Sequence, residues 1–132
     1  MITSADLARS TWQCVHFIRE PESPALIAGL SGRDLRVAEI GQPSLTSKAD
    51  LLEQISRAFK FPDYVADNWD ALDEALRDLE WLPASGYVLL VRNAGELWAT
   101  DPITAGTLTE IWLTMAESWA GTETPCHLVF AV

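Results

Sequence analysis

The chain lacks most of what would build the common classes of enzyme, secreted scaffold or membrane protein. Its 132 residues hold two cysteines, Cys14 and Cys126, far apart and without metal-ligand spacing. Neither a disulfide framework nor a zinc site is therefore indicated, and two buried, reduced thiols are expected. There are two histidines, His16 and His127, each inside an apolar stretch where a strand or core role is the commoner one. No Gly-rich phosphate loop, nucleophile elbow or HExxH pattern is present. No apolar run reaches the about 20 residues of a membrane span. Met1 to Gln13 lack the basic, apolar and small-residue succession of a secretory signal, so a cytoplasmic location is expected.

Basic residues are missing from one part of the chain only. Residues 1–60 carry seven Lys/Arg and seven Asp/Glu, whereas residues 61–132 carry twelve acidic residues against Arg77 and Arg92. The whole net charge of −10 thus belongs to the second part. Such a surface repels nucleic acid, whose phosphates require Lys and Arg, and attracts basic proteins.

What is present reads as one domain over residues 1–132, with 48% hydrophobic residues and no internal repeat or low-complexity tract. Gln13 to Ile18, Ala25 to Leu30 and Leu35 to Ile40 read as strands, the last two joined by the turn-forming Ser31-Gly32-Arg33-Asp34 as an antiparallel hairpin. Thr46 or Ser47 caps a helix from Lys48 to Phe59, which Pro62 interrupts. A second helix follows Asn68, with Trp69, Leu72, Leu76 and Leu79 as its apolar stripe. Tyr87 to Val91 is a continuous apolar strand. Asp101 and Pro102 open a helix that ends near Gly121, its inward residues being Leu108, Ile111, Trp112, Met115 and Trp119. His127 to Val132 closes the chain as an interior strand. Strands separated by helices imply a parallel sheet and an α/β fold. Most of the six tryptophans are expected in or beside the core.

On the helix after Asn68, residues three and four apart share a face, which brings Asp70, Asp73, Glu74 and Arg77 together opposite the leucines. Asp70 and Glu74, like charges one turn apart, cost an isolated helix roughly 0.2–0.5 kcal/mol. The helix dipole offsets part of this for Asp70 but has faded at Glu74. By itself the patch fits either a solvated helix face or a docking surface for a positively charged partner.

The run Phe61-Pro62-Asp63-Tyr64-Val65-Ala66-Asp67-Asn68-Trp69-Asp70-Ala71-Leu72-Asp73-Glu74-Ala75-Leu76 resembles the signature of the barstar family. That signature runs Pro-acid-Tyr, Asn, a large apolar residue, Asp-Ala-Leu, and an acid before Ala-Leu. The resemblance implies a small parallel three-stranded sheet packed with helices over residues 35–132. Residues 1–34 become an N-terminal β extension adding antiparallel strands and covering a sheet edge. It also implies an inhibitor that blocks a ribonuclease active site and is not itself an enzyme. Tyr64 would supply a flat amphipathic contact, Asn68 would cap the helix and bond the partner, and Trp69 stands in the same first turn. Asp70, Asp73 and Glu74 would supply negative charge, with Glu117 as an additional acid on the last helix. A carboxylate substitutes for a substrate phosphate because Arg and Lys N–H groups donate to both in similar geometry. Three positions depart from the pattern: Ala66 replaces a common glycine, Asp73 a common aromatic residue, and Glu74 the usual aspartate. The expected partner is a basic ribonuclease of the barnase class or a related small nuclease toxin, with no nucleic acid, membrane, cofactor or metal, and a monomeric free state. The alternatives are an interaction module of the same fold that binds a non-nuclease protein, and a carboxylate metal-dependent hydrolase using Asp67, Asp70, Asp73 and Glu74.

Overall fold

Tyr87-Val88-Leu89-Leu90-Val91 is apolar without alternation because the strand it forms is covered on both faces. The computed structural model, which describes residues 2–11, 13–61 and 68–132, places this strand inside a four-stranded sheet. The strands are β1 (Val15–Ile18), β2 (Arg36–Ile40), β3 (Tyr87–Val91) and β4 (Cys126–Ala131). Their order is β1-β4-β3-β2 and every pairing is parallel, with Val15 opposite Leu128, Tyr87 opposite Cys126 and Arg36 opposite Tyr87.

Helices supply the crossovers that parallel neighbours require. They are α1 (Ser4–Leu7), α2 (Ser23–Leu30), α3 (Lys48–Ala58), α4 (Trp69–Asp78), α5 (Ala94–Thr100) and α6 (Pro102–Ala120). One face of the sheet packs Leu89, Val91, Leu128 and Phe130 against Leu51, Ile55, Leu72, Leu76, Leu108 and Trp112. On the other face Val88, Leu90, Val129 and Ala131 meet Leu7, Leu26 and Leu30 of α1 and α2. The side chains of β3 and β4 alternate between these two cores, as the strand period of two dictates.

The α/β class and the parallel sheet packed with helices hold, and the extension differs from expectation. Ala25 to Leu30 lies in α2, so no hairpin forms before β2. The first strand joins β4 in parallel, extending the expected three-stranded sheet to four parallel strands without an antiparallel addition. The reason is topological. β1 and β2 lie at opposite edges, and α2 carries the chain between them across the back of the sheet. A six-residue apolar run fits either period, and Pro24 at the start of the helix decides it, since proline is compatible with the first helical turn.

The extension is tied to the rest of the sheet by charge as well as packing. Arg92, following β3, bonds both Glu20 and Glu39, the latter at 2.7 Å. Asn93 donates its backbone N–H to Glu20 and its side-chain amide to the Gly41 carbonyl. Gly41 has φ +94 and lies so close to the Arg92 carbonyl that a Cβ would sit 1.9 Å from that oxygen, so glycine alone fits.

Candidate functional site

The site is built from the start of α4. Asn68 has extended backbone, φ −134 and ψ 119, and its Oδ1 accepts the amides of Asp70 and Ala71 at 2.8 and 3.4 Å. Two of the first-turn N–H groups that lack helical partners are thereby satisfied, which fixes where the helix begins and how its first turn is aimed. Leu72, Ala75 and Leu76 are buried against the core, so the helix cannot rotate. Asp70 and Glu74 are consequently held on the outward face, both exposed.

The carboxylates are not equivalent. Among the described residues neither Asp70 nor Glu74 joins an ion pair, whereas Asp73 Oδ2 accepts from Arg77 at 3.1 Å on the same helix. Asp73 is half-buried, its Oδ1 shielded from solvent and without a partner among the described residues. The face therefore offers two free negative groups, Asp70 and Glu74, beside a third already partly neutralised. Trp69 is half-buried against the core and carries Lys48 Nζ 5.6 Å from its ring centroid, so much of this side chain is committed to joining α3 and α4.

The far end of α4 is anchored from α6. Trp119 Nε1 donates to the Leu76 carbonyl at 3.0 Å, filling one of the acceptors that the last turn leaves open. Leu79 ends the helix with φ +50, an uncommon conformation for leucine, while its side chain is buried in the main core. Trp81 and Trp112 likewise donate their indole N–H to backbone carbonyls, of Phe59 and Cys126. Three tryptophans thus act as hydrogen-bonded parts of the scaffold behind the acidic face, in keeping with their expected core role.

The other residues named from the sequence fall in different places. Tyr64, with Ala66 and Asp67, lies outside the described residues. Glu117 is exposed but lines a groove with Ser10, Thr11, Cys14, Leu113 and Thr124, on the side of the extension. The α6 acid that does meet α4 is Glu110, which shares a shallow depression with Trp69, Asp70, Asp73, Thr107 and Thr114. Its signal in the sequence was the run Thr107, Glu110, Thr114, a polar stripe at helical spacing beside the buried Leu108, Trp112 and Met115. Without knowing which flank of α6 meets α4, that stripe had no assigned neighbour.

His127 and both thiols are buried, and His16 is half-buried. His16 and His127 face each other across β1 and β4, and both thiols lie inside the fold. Burial and the nearby Cys14 push the Cys126 thiol up to about 12. Among the described residues no three His, Cys, Asp or Glu side chains are arranged to hold a metal ion. Nor is any helix among them long and apolar enough to cross a membrane.

The first turns of a capped, firmly packed helix thus present carboxylates outward from a parallel α/β fold. The family model described as barstar (barnase inhibitor) matches residues 35–131, and the chain belongs to that family. Its members are inhibitors, and the matched region contains β2 through β4, α3 through α6 and the whole acidic face. No curated protein matches the chain. The region before residue 35, which supplies β1, α1 and α2, stands outside the family match.

Proposed function

We propose that this protein inhibits a basic ribonuclease, or a related small nuclease toxin, by inserting carboxylates of α4 into the cationic pocket that holds RNA phosphates. The observation that carries this reading is the outward, unpaired state of Asp70 and Glu74 on a helix whose opposite face is locked in the core. Glu74 supplies the deeper charge, reaching one methylene further than an aspartate, and Asp70 the charge at the rim. Asn68 contributes its free side-chain amide, Trp69 the partly exposed rim of its ring, and Tyr64, shortly before it in the sequence, a flat contact. Asp73 and Glu110 widen the negative field between α4 and α6, with Glu117 at its margin. The protein acts in the cytoplasm of the cell that makes or meets the nuclease, and it contacts no RNA itself.

Three physical features support the mechanism. Guanidinium and ammonium groups arranged to donate to phosphate oxygens also donate to carboxylate oxygens. Positioning both acids on a capped helix leaves little backbone freedom to be lost on binding. The concentration of charge in residues 61–132 steers a basic partner toward this side of the molecule.

The test is affinity capture from the source cell with the wild type and with an Asp70→Ala, Glu74→Ala double variant. Recovery of a basic nuclease by the wild type alone supports inhibition. An unrelated protein retained equally by both baits makes the chain an interaction module with another partner.

A further inference from the structure

The N-terminal extension moves the sheet edge outward and leaves it open. β1 is hydrogen-bonded to β4 through the carbonyls of Cys14 and Ile18, which accept from Leu128 and Val132 at 2.8 and 2.9 Å, and through the Glu20 amide, which donates to Val132 at 2.9 Å. Successive residues of a strand direct their backbone groups to opposite edges. Val15, Phe17 and Arg19 therefore point theirs away from the sheet. Arg19 is already satisfied locally, its N–H by the Glu22 carboxylate at 2.8 Å and its carbonyl by the Glu22 amide at 2.9 Å. Among the described residues nothing takes up the outward groups of Val15 and Phe17. The open edge is thus two residues long.

Phe17 marks the same edge with apolar surface. It stacks on buried Phe130 at 5.2 Å between ring centroids, yet is 58% exposed. We propose that β1 is a self-association edge, on which two copies of this chain pair antiparallel about a two-fold axis at His16. Val15 of each copy then exchanges both backbone hydrogen bonds with Phe17 of the other, and each Phe17 ring covers the other copy's Val15. Aromatic and β-branched residues directly opposite are a favourable cross-strand pair. The arrangement is isologous and closes on itself.

The occupant is a second copy for two reasons. A longer strand from another protein would run on to Arg19 and find its groups taken, whereas the two-fold pairing uses Val15 and Phe17 and nothing more. Charge agrees, because residues 1–34 contain three basic and four acidic residues, while the rest contains six basic and fifteen acidic. The extension is the flank by which two such acidic molecules approach without strong repulsion. The extension, expected from the sequence as an edge cover, is a strand with an edge of its own.

The experiment is light scattering on the size-separated full chain from micromolar to millimolar concentration, with hydrogen exchange on the same samples. The expected result is a species of twice 14.6 kDa at high concentration, with the Val15 and Phe17 amides protected only there. Phe17→Lys is expected to give the monomer mass throughout, and Ile103→Lys, at an exposed residue of α6, to leave the dimer intact. A monomer at millimolar concentration overturns the proposal. A dimer whose Val15 and Phe17 amides exchange freely overturns it as well, and the wild-type exchange decides the matter even if Phe17→Lys folds poorly. None of these outcomes bears on inhibition, which uses α4.

Discussion

His16 of β1 and His127 of β4 share one hydrogen bond, Nε2 to Nδ1, at 2.9 Å, and the other nitrogen of His127 lies 2.7 Å from the Arg9 carbonyl. A carbonyl only accepts, so His127 donates from Nε2; burial disfavours its charged form, which leaves Nδ1 to accept and makes His16 the donor between the rings. The network joins β1 and β4 to Arg9, just after α1. Burial, and then the proximity of His127, lower His16 from 6.5 to about 4, while burial lowers His127.

The consequence for stability has a definite sign. Below 6.5 the unfolded chain binds protons that the folded chain refuses, so stability falls as pH drops from about 6.5 toward about 4. On the order of 2 kcal/mol is at stake for His16, given its partial exposure. Urea unfolding between these pH values should show this decline, and His16→Gln should flatten it. An equally steep decline in the variant would assign the acid sensitivity to other groups.

Trp119 should matter to α4 through one hydrogen bond. Trp119→Phe keeps an aromatic ring but leaves the Leu76 carbonyl without its donor, so a loss of about 1 kcal/mol is expected, with a small drop in inhibition as the last turn loosens. Chemical denaturation measures the first, an inhibition titration the second. Unchanged stability would mean that solvent replaces the indole without cost.

Removing residues 2–34 should give a chain that aggregates. Leu7, Leu26 and Leu30 shield Val88, Leu90 and Val129, and burying each such side chain contributes roughly 1.5–3 kcal/mol. Exposing them opens a contiguous apolar sheet face. A soluble, monomeric truncation with native-like circular dichroism would show that the family-matched region is self-sufficient.

Both thiols should resist alkylation at pH 8 in the folded protein and react together on denaturation. Burial raises the pKa of each, leaving little thiolate, and denies reagents access. Mass spectrometry after iodoacetamide treatment checks this, and rapid single labelling at Cys14 would reveal local opening of the extension.

The helix and strand positions that hold the site could be read from the sequence because local signals coincide there. Asn68 caps α4, Ser47 caps α3, Asp101 with Pro102 opens α6, and the uninterrupted run at Tyr87 to Val91 is a buried strand. Two things were not legible. The run from Ala25 to Leu30 is too short for its period to separate helix from strand, and α5 begins at Asn93 in the left-handed conformation without any side-chain cap. For the site, Asp70, Asp73 and Glu74 follow from helical spacing alone, as does the Asp73 and Arg77 pair. Glu110 does not, because its place beside Asp70 depends on how α6 crosses α4, which no local pattern encodes.

The most direct measurement is a titration of RNA hydrolysis by a purified basic ribonuclease of the barnase type, using the wild type, Asp70→Ala, Glu74→Ala and Lys60→Ala. Full inhibition at equimolar wild type and Lys60→Ala is predicted, with each acid-to-alanine change weakening inhibition at least tenfold, about 1.4 kcal/mol. Inhibition by the wild type that both alanine variants retain undiminished would contradict the account, because the carboxylates of α4 would then not be what occupies the phosphate pocket.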